Sequence, residues 1–322
     1  MSLEVVRAGL LDTLQDGGRY GYQHVGINPT GAMDSAAMKM TNALLGNELE
    51  TGVIEMCFPA PIFKFNTSAM IALTGANFEA TINGVVVPIN HAIEVPTLAE
   101  LKFSKNRGGV FCYLAVQKGF DADSWLGSIS TNIKAKAGGW KGRVLQKGDQ
   151  LPFRNQNLKT SQIRVFPWSV STDFYSNPST IHCTSGPEFD WLDKSSKEKF
   201  EFNFFKLIPL SDRMGYRFES ESLQKINHGE LLSTAASFGT IQLLPSGQII
   251  CLMADHQTTG GYPRIAQVIQ ADLPKLAQRR PNESVTFKFI SVVEAEDLLV
   301  AQTQLIKQIQ SACKLKIDQL VR

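Results

Sequence analysis

Alternating apolar and polar positions along most of the chain predict β-strands. Residues 78–82 and 85–87 flank Asn83-Gly84, a dipeptide in which both residues tolerate a positive φ. This pattern predicts a β-hairpin with a two-residue turn. The same kind of alternation predicts further strands over residues 98–103, 109–116, 162–166, 239–244, 248–253 and 284–292.

Helical patterns are few. Asp34 is a favourable N-cap residue in front of residues 35–45, and Gly46 follows as a typical helix terminator. A second short helix is expected after Pro187, with Phe189, Leu192 and Phe200 as its buried stripe, and a third near Asp272. The clearest helix is the last, where apolar residues recur at intervals of three, four and seven: Leu299, Ile306, Ile309, Cys313, Ile317 and Leu320.

The polar segment 154–161 lacks periodicity and divides the chain near its midpoint, which is typical of a linker. We therefore predict an N-terminal domain over 1–155, a second domain over 162–293 and a terminal helix over 294–322. Residues 235–254 carry no charge, but Pro245-Ser246-Gly247 interrupts them, so two strands joined by a turn fit better than a membrane span.

Composition narrows the possible functions. The chain has 32 basic and 30 acidic residues, a net charge of +2, which disfavours nucleic acid as a partner. Five cysteines lie far apart in sequence, and this odd, scattered set is typical of reduced thiols. The first residues do not resemble a signal peptide. We expect a soluble, cytoplasmic protein without a membrane partner.

Common catalytic motifs are absent from the sequence. There is no P-loop and no GxGxxG, and the five histidines form no HxxxH or HExxH pair, so we expect no metal site. Ser237 lies in a segment like a nucleophile elbow, but the strand predicted after it argues against that role.

Ala37-Met38-Lys39-Met40 is identical to the tetrapeptide around the biotinylated lysine of biotin carriers. A carrier lysine needs an exposed hairpin turn, whereas these residues fall inside a predicted helix. We therefore expect no biotin attached to this chain.

Five loops combine glycine with charged or hydroxyl side chains. Paired glycines let a ligand approach the main chain, and neighbouring arginines and threonines supply donors for carboxylate, phosphate or carbonyl oxygens. Each loop alone is explained by turn chemistry, but the five together suggest one concave site where several converge. The loops are residues 15–21, 30–34, 138–143, 212–217 and 257–264.

Motifs in these loops and in the strands between them occur in an order that resembles the family of the 5-oxoprolinase C subunit, also described as allophanate hydrolase subunit 2 and as biotin-dependent carboxyltransferases. The run Thr-Thr-Gly-Gly-Tyr-Pro at 258–263 is especially specific. The other matching segments are residues 13–19, 31–34, 42–47, 73–76, 113–116, 138–139, 142–143 and 213–217.

The resemblance implies a mainly β protein of two cyclophilin-like β-barrel domains, with few short helices and a C-terminal α-helix. It also implies two partners, subunits B and A. With them, such proteins open 5-oxo-L-proline to L-glutamate using ATP. The chain would thus be part of an ATP-dependent lactam hydrolase that is active only as a complex.

On this hypothesis, Arg213, Arg217 and Arg19 bind carboxylate or phosphate groups. Asp255, Gln257, Thr258 and Thr259 orient the substrate, beside Gly260 and Gly261, and Tyr262 closes the pocket. Asp16 is a weaker candidate. Asp34 is better explained as an N-cap.

Two alternatives remain open at this stage. The chain also resembles carboxyltransferase subunits that act on urea-like amides through a biotin arm carried by another protein. It is similar, too, to relatives that act as regulatory partners of a kinase-inhibitor protein. Pocket substitutions at Arg213 and Thr258 would abolish turnover in an enzyme but spare a purely regulatory role.

Overall fold

The computed structural model describes residues 1–154, 158–171, 175–177, 179–226, 229 and 231–320. Contacts divide the chain into two units. Unit 1 comprises residues 1–19, 30–172 and 303–322, and unit 2 comprises residues 20–29 and 173–302.

The described residues of unit 1 form two six-stranded sheets, one short helix and the C-terminal part of the last helix. The first sheet has the strand order β11-β1-β4-β9-β6-β7, and the second has the order β12-β8-β5-β10-β3-β2. The strands are β1 (Ser2–Arg7), β2 (Thr13–Gln15), β3 (Val53–Cys57), β4 (Ile62–Phe65), β5 (Ala69–Asn77), β6 (Ala80–Ile82), β7 (Val85–Val86), β8 (His91–Val95), β9 (Glu100–Phe103), β10 (Gly108–Val116), β11 (Gln150–Pro152) and β12 (Arg164–Ser169).

The predicted hairpin at 83–84 is confirmed. Strands β6 and β7 pair antiparallel, with Thr81 opposite Val86. Asn83 and Gly84 have φ values of 50° and 81°, the conformation that a two-residue hairpin turn of this kind requires.

The first predicted helix is also confirmed as α1 (Ser35–Leu44). The Asp34 carboxylate accepts a hydrogen bond from the Ala37 N–H at 2.8 Å, which satisfies one of the free donors of the first turn. Gly46 follows the helix with a φ of 66°. The helix is buried on nearly all sides against β5 and β10.

Unit 2 is built around a closed seven-stranded barrel with the order β13-β20-β17-β18-β15-β14-β21. Phe200, Phe205 and Phe287 pack together in it, with ring centroids 5.3–5.6 Å apart. The strands are β13 (Thr180–Ser185), β14 (Phe205–Leu207), β15 (Gly215–Glu219), β16 (Thr234–Ala235), β17 (Thr240–Leu243), β18 (Ile249–Leu252), β19 (Thr259–Gly260), β20 (Arg264–Val268) and β21 (Ser284–Phe289).

The uncharged stretch 235–254 folds as expected into two strands and a turn. Strands β17 and β18 pair antiparallel, and Gly247, with a φ of 81°, lies in the turn between them. Among the residues that the structure describes, no helix is long and apolar enough to cross a membrane.

The helices of unit 2 differ in detail from the prediction. After Pro187 the chain forms a short 3-10 turn (Phe189–Trp191) and then α2 (Lys194–Phe202), whose N-cap is Asp193. Leu192 and Phe200 are buried as predicted, while Phe189 is only half-buried. Near Asp272 the predicted helix is present as α3 (Leu273–Ala277).

The long terminal helix α4 (Val292–Leu320) has the buried face that the sequence predicted. Ile306, Cys313 and Ile317 are each at most 6% exposed. The strand predicted over 284–292 ends earlier, at Phe289, because Ser291 and Glu294 form a reciprocal capping box that starts the helix.

The mainly β class and the C-terminal helix are thus present. Residues 155–157 of the proposed linker lie outside the described residues, and the domain limits of 1–155 and 162–293 stay predictions. Strand β12 pairs with β8 of unit 1, so the division by contacts falls after residue 172.

Candidate functional site

In unit 1, the carboxylate of Asp16 lies at the centre of a hydrogen-bond network. Its Oδ1 accepts from the hydroxyls of Ser128 and Ser130 at 2.6 Å and from the Gly18 N–H at 2.8 Å. Its Oδ2 accepts from the Ile129 N–H at 2.7 Å. Asp16 is only 9% exposed. Four donors converge on one buried carboxylate, so Asp16 ties its loop to the segment 128–130.

The guanidinium of Arg19 forms hydrogen bonds within the same region. It donates to the Thr30 hydroxyl and to the carbonyl oxygens of Ser130 and Trp125. It also lies 4.7 Å from the centre of the Trp125 ring, a cation–π contact. Arg19 is 1% exposed. Its charge therefore stabilises the loops around it.

Glycines bring these loops into close contact. A Cβ atom at Gly31 would lie 3.1 Å from the Gly18 nitrogen, and one at Gly138 or Gly139 would overlap Ser130 or Thr131. Three of the five predicted loops therefore meet within unit 1. We call residues 15–19, 30–34, 128–131 and 138–142 the glycine-rich cluster.

A buried polar cluster beside α1 was not predicted. The Tyr113 hydroxyl donates to Glu55 Oε2 at 2.7 Å and accepts from the Asp34 N–H at 2.8 Å. Burial, together with the charges of Glu55 and Asp34, raises the pKa of Tyr113 well above its ordinary value. The sequence signal was present, since Glu55 is an acidic residue inside the otherwise apolar strand β3.

In unit 2, Arg213 and Asp255 form a two-pronged ion pair. Arg213 Nε and Nη2 donate to the two oxygens of Asp255 at 2.8 and 3.0 Å, and the Asp255 N–H donates to the Arg213 carbonyl at 2.7 Å. Arg213 is 6% exposed. The pair joins the predicted loop 212–217 to the residues just before the predicted loop 257–264, and Asp255 neutralises the guanidinium.

His256 follows directly and is also buried. Its Nδ1 lies 2.7 Å from the Gln257 carbonyl oxygen, which places the ring proton on Nδ1. Burial lowers the pKa of His256 below its ordinary value. The hydrogen bond to Gln257 and the nearby charge of Asp255 raise the pKa, but by less than burial lowers it. The ring is therefore neutral near pH 7.

The segment from Gln257 to Tyr262 lies at the surface of unit 2 on a small two-stranded sheet. Strand β19 pairs with β16, with Thr259 opposite Ala235. The Thr258 carbonyl accepts from the Ala236 N–H at 3.0 Å. A Cβ atom at Gly260 would lie 2.6 Å from Gln242 Nε2, so glycine permits this close packing.

Next to this segment is a cavity of about 560 Å³ that lies wholly within unit 2. We call it the barrel-end cavity. Its walls are formed by three segments that include the turn of the β17–β18 hairpin and the Gly261-Tyr262-Pro263 motif. The described lining residues are Leu223, Gln224, Lys225, Gly229, Leu231, Leu243, Leu244, Pro245, Ser246, Gly247, Gly261, Tyr262 and Pro263.

The structure therefore describes the predicted site residues in two groups. Asp16 and Arg19 belong to unit 1, where each is enclosed by partners. In unit 2, Arg217 is exposed on β15, and its N–H donates to the Ser211 hydroxyl at 2.9 Å. Arg213 is held by its ion pair with Asp255. The remaining unit 2 candidates lie within residues 255–262: Asp255, Gln257, Thr258, Thr259, Gly260, Gly261 and Tyr262.

The segment that resembles a biotin-carrier site and the segment that resembles a nucleophile elbow have the local structure that we predicted for them. Lys39 lies on α1, and its Nζ is 3.1 Å from a Glu50 carboxylate oxygen. Ser237 is followed by strand β17 and not by a helix, and its hydroxyl contacts Thr240 and Gln267 at 3.2 Å.

A family model described as carboxyltransferase domain, subdomain A and B, matches residues 25–289. The chain is 34% identical to the 5-oxoprolinase C subunit of Escherichia coli (strain K12) over 91% of its length and 93% of the relative's. It is 38% identical to the corresponding protein of Haemophilus influenzae, over 89% of this chain and 90% of that one.

Among solved structures, the K. lactis urea amidolyase superimposes with a TM-score of 0.88 at 26% identity. The match covers 96% of this chain but only 20% of the amidolyase. Both units of the present fold thus correspond to one part of that larger protein.

Proposed function

Since this chain belongs to the carboxyltransferase domain, subdomain A and B, family, we propose that it is the C subunit of a 5-oxoprolinase. The complex, with subunits A and B, would hydrolyse 5-oxo-L-proline to L-glutamate at the expense of ATP. We further propose that it works in the cytoplasm. The observation that carries the proposal is the identity of 34–38% to two such C subunits along nearly their whole length.

The complex would hydrolyse, and so open, a lactam ring. Amide resonance protects the carbonyl from water, so the carbonyl oxygen must be activated, and phosphoryl transfer from ATP would do this. The protein's contribution is then to hold the substrate and to supply hydrogen-bond donors where negative charge develops.

We propose that exposed and half-buried residues of unit 2 make these contacts: Arg217, Gln257, Thr258, Thr259 and Tyr262, with the main chain of Gly260 and Gly261. Arg213 and Asp255 would fix the positions of these loops through their ion pair. Asp16 and Arg19 would hold the glycine-rich cluster of unit 1 in shape, because both are enclosed by internal partners.

The direct test is reconstitution. Subunits A and B are combined with 5-oxo-L-proline and ATP, with and without this chain, and glutamate release is measured. We expect release only when the chain is present. An unchanged rate without it would overturn the proposal.

Carboxyltransfer is a second candidate, favoured by the TM-score of 0.88 to a urea amidolyase. In that case a biotin arm on a separate carrier would deliver carboxylate to a urea-like amide. Turnover that requires bicarbonate and is blocked by avidin would support this function. Glutamate release that is insensitive to avidin would exclude it for the reconstituted complex.

A further inference from the structure

The barrel-end cavity has the size and position of a small-molecule site. Its volume of about 560 Å³ falls in the range of roughly 300–1,000 Å³ that is usual for ligand pockets. The Leu223 N–H donates to the Gly247 carbonyl at 2.9 Å, and the Leu243 N–H to the Pro263 carbonyl at 2.9 Å. Backbone hydrogen bonds therefore fix these walls.

Glycines keep the walls close together. A Cβ atom at Gly247 would overlap the Ser222 hydroxyl, and one at Gly261 would lie 3.2 Å from the Leu231 carbonyl oxygen. Both glycines line the cavity, and the exposed Gly261 leaves its main chain accessible to a ligand.

The walls are polar and apolar in about equal parts. Leu223 and Leu243 are at most 4% exposed, so they form a firm hydrophobic floor, and Tyr262 is 42% exposed at the surface. The side chains of Gln224 and Ser246 can donate to or accept from an amide. This mixture suits a small ring with an amide group.

Lys225 is the charged residue among the described lining residues. Its Nζ donates to the Gly229 carbonyl at 3.1 Å, a neutral acceptor, and no ion pair of Lys225 occurs among the described residues. A single cation beside a partly apolar wall is suited to one carboxylate. A nucleoside triphosphate, with several negative charges, would need more cations than the described wall offers.

We propose that the barrel-end cavity binds a small amide or lactam carrying one carboxylate, with Lys225 as the group that holds the carboxylate. The apolar ring carbons lie against Leu223 and Leu243. The amide exchanges hydrogen bonds with Ser246, Gln224 or the main chain of Gly261. This inference names the place where the substrate binds, and it rests on the proposed function for the identity of that substrate.

The experiment measures binding of 5-oxo-L-proline to the full chain alone by calorimetry. Lys225→Met keeps the aliphatic stem and removes the charge, and we expect at least tenfold weaker binding. Ser246→Asp, which adds a negative charge at the same rim, should weaken binding as well, and Lys225→Arg should retain it. The matched control Lys194→Met alters an exposed lysine on α2 and should bind like the wild type. Circular dichroism of each variant checks that it is folded.

Ligand variants test the chemistry. 2-Pyrrolidinone, which lacks the carboxylate, should bind at least tenfold more weakly than 5-oxo-L-proline, and ATP should not compete. Equal affinity of wild type and Lys225→Met, tighter binding of 2-pyrrolidinone, displacement by ATP, or no binding to the full chain would each overturn the inference.

The reconstituted complex separates this inference from the proposed function. If the wild-type complex releases glutamate and Lys225→Met raises the KM for 5-oxo-L-proline but not for ATP, both stand. If the wild type is active and the KM is unchanged, only the cavity assignment fails. If the wild type releases no glutamate, the proposed function fails, while calorimetry still decides what the cavity binds.

Discussion

The glycine-rich cluster of unit 1 and the 257–262 segment of unit 2 both combine glycine with polar side chains but use their polar groups differently. Asp16 and Arg19 are 9% and 1% exposed and are surrounded by donors and acceptors from their own unit. Tyr262 is 42% exposed, and Thr259 is exposed on a two-stranded sheet beside an open cavity. Loops with the same composition therefore serve as internal scaffold in one unit and as accessible surface in the other.

The difference shows that burial and hydrogen-bond partners, and not residue type, distinguish residues that stabilise the fold from residues that could contact a ligand. A buried charge with internal partners contributes to stability, and its loss leaves those partners unsatisfied. An exposed hydroxyl contributes little to stability and is accessible to a ligand. Substitutions in the glycine-rich cluster should therefore lower stability more than those in the 257–262 segment, and substitutions in the 257–262 segment should lower activity at little cost in stability.

The largest expected effect is that of Asp16→Ala in unit 1. It removes the acceptor of four hydrogen bonds, including those from Ser128 and Ser130. At roughly 1.5 kcal/mol for each bond to a charged group, we expect a loss of about 6 kcal/mol in the free energy of unfolding. Urea unfolding measures it, with exposed Asp123→Asn as the control. A loss below about 1 kcal/mol would contradict the scaffold role.

Asp12, also buried in unit 1, provides a contrast with Asp16. Its Oδ2 accepts from the Gly9 N–H at 2.6 Å, while its Oδ1 has no partner among the described residues. Burial raises the pKa of Asp12 to about 7, although the bond from Gly9 lowers it. The folded state therefore holds a proton that the unfolded state releases near pH 4, so stability should fall as pH rises from about 4 to 7.

Asp12→Asn should remove this slope, because asparagine does not titrate and its side-chain oxygen can still accept from Gly9. A raised pKa of this size corresponds to at most about 4 kcal/mol across the window. The free energy of unfolding is measured from pH 4 to pH 8 for both proteins. Identical slopes in wild type and variant would contradict the assignment.

In unit 2, Arg213→Ala tests whether the ion pair with Asp255 is scaffold. Removal of the guanidinium leaves the Asp255 carboxylate, which is 17% exposed, without its two-pronged partner. We expect a loss of about 3 kcal/mol in stability, at the lower limit for a buried pair. The double variant with Asp255→Ala should lose less than the sum of the two single variants.

Exposed Arg217→Ala is the matched control, since it removes the same kind of side chain from the neighbouring strand β15. It should change stability by less than about 0.5 kcal/mol. If Arg213→Ala and Arg217→Ala were equally mild, Arg213 would not belong to the scaffold of unit 2.

Much of the fold was predictable because its signals are local. The Asn83-Gly84 turn, the Asp34 cap and the stripe of α4 each lie within one short segment. The Asp16 network and the Arg213–Asp255 pair were not predictable, because they join residues far apart in the chain. The sequence shows which segments carry polar side chains, but only the pairing of distant strands decides which of those side chains become internal.

Glycine substitutions test the close packing of the glycine-rich cluster. Gly139→Ala would place a Cβ atom in contact with Thr131, whereas Gly127→Ala meets no atom within 4 Å. Both positions have a positive φ, 57° and 79°, so the backbone strain is similar. We expect Gly139→Ala to be less stable than Gly127→Ala by about 2 kcal/mol, from overpacking alone. Equal thermal stabilities would show that the loops can move apart.

The smallest expected effect on stability belongs to Thr259→Ala in unit 2. The residue is exposed, so its free energy of unfolding should stay within about 0.5 kcal/mol of the wild type, as should that of the control Ser195→Ala on α2. Glutamate release by the reconstituted complex should nevertheless fall at least tenfold in kcat/KM for Thr259→Ala and not for Ser195→Ala. A stability loss without loss of turnover would place Thr259 with the scaffold residues and remove the distinction between the two regions.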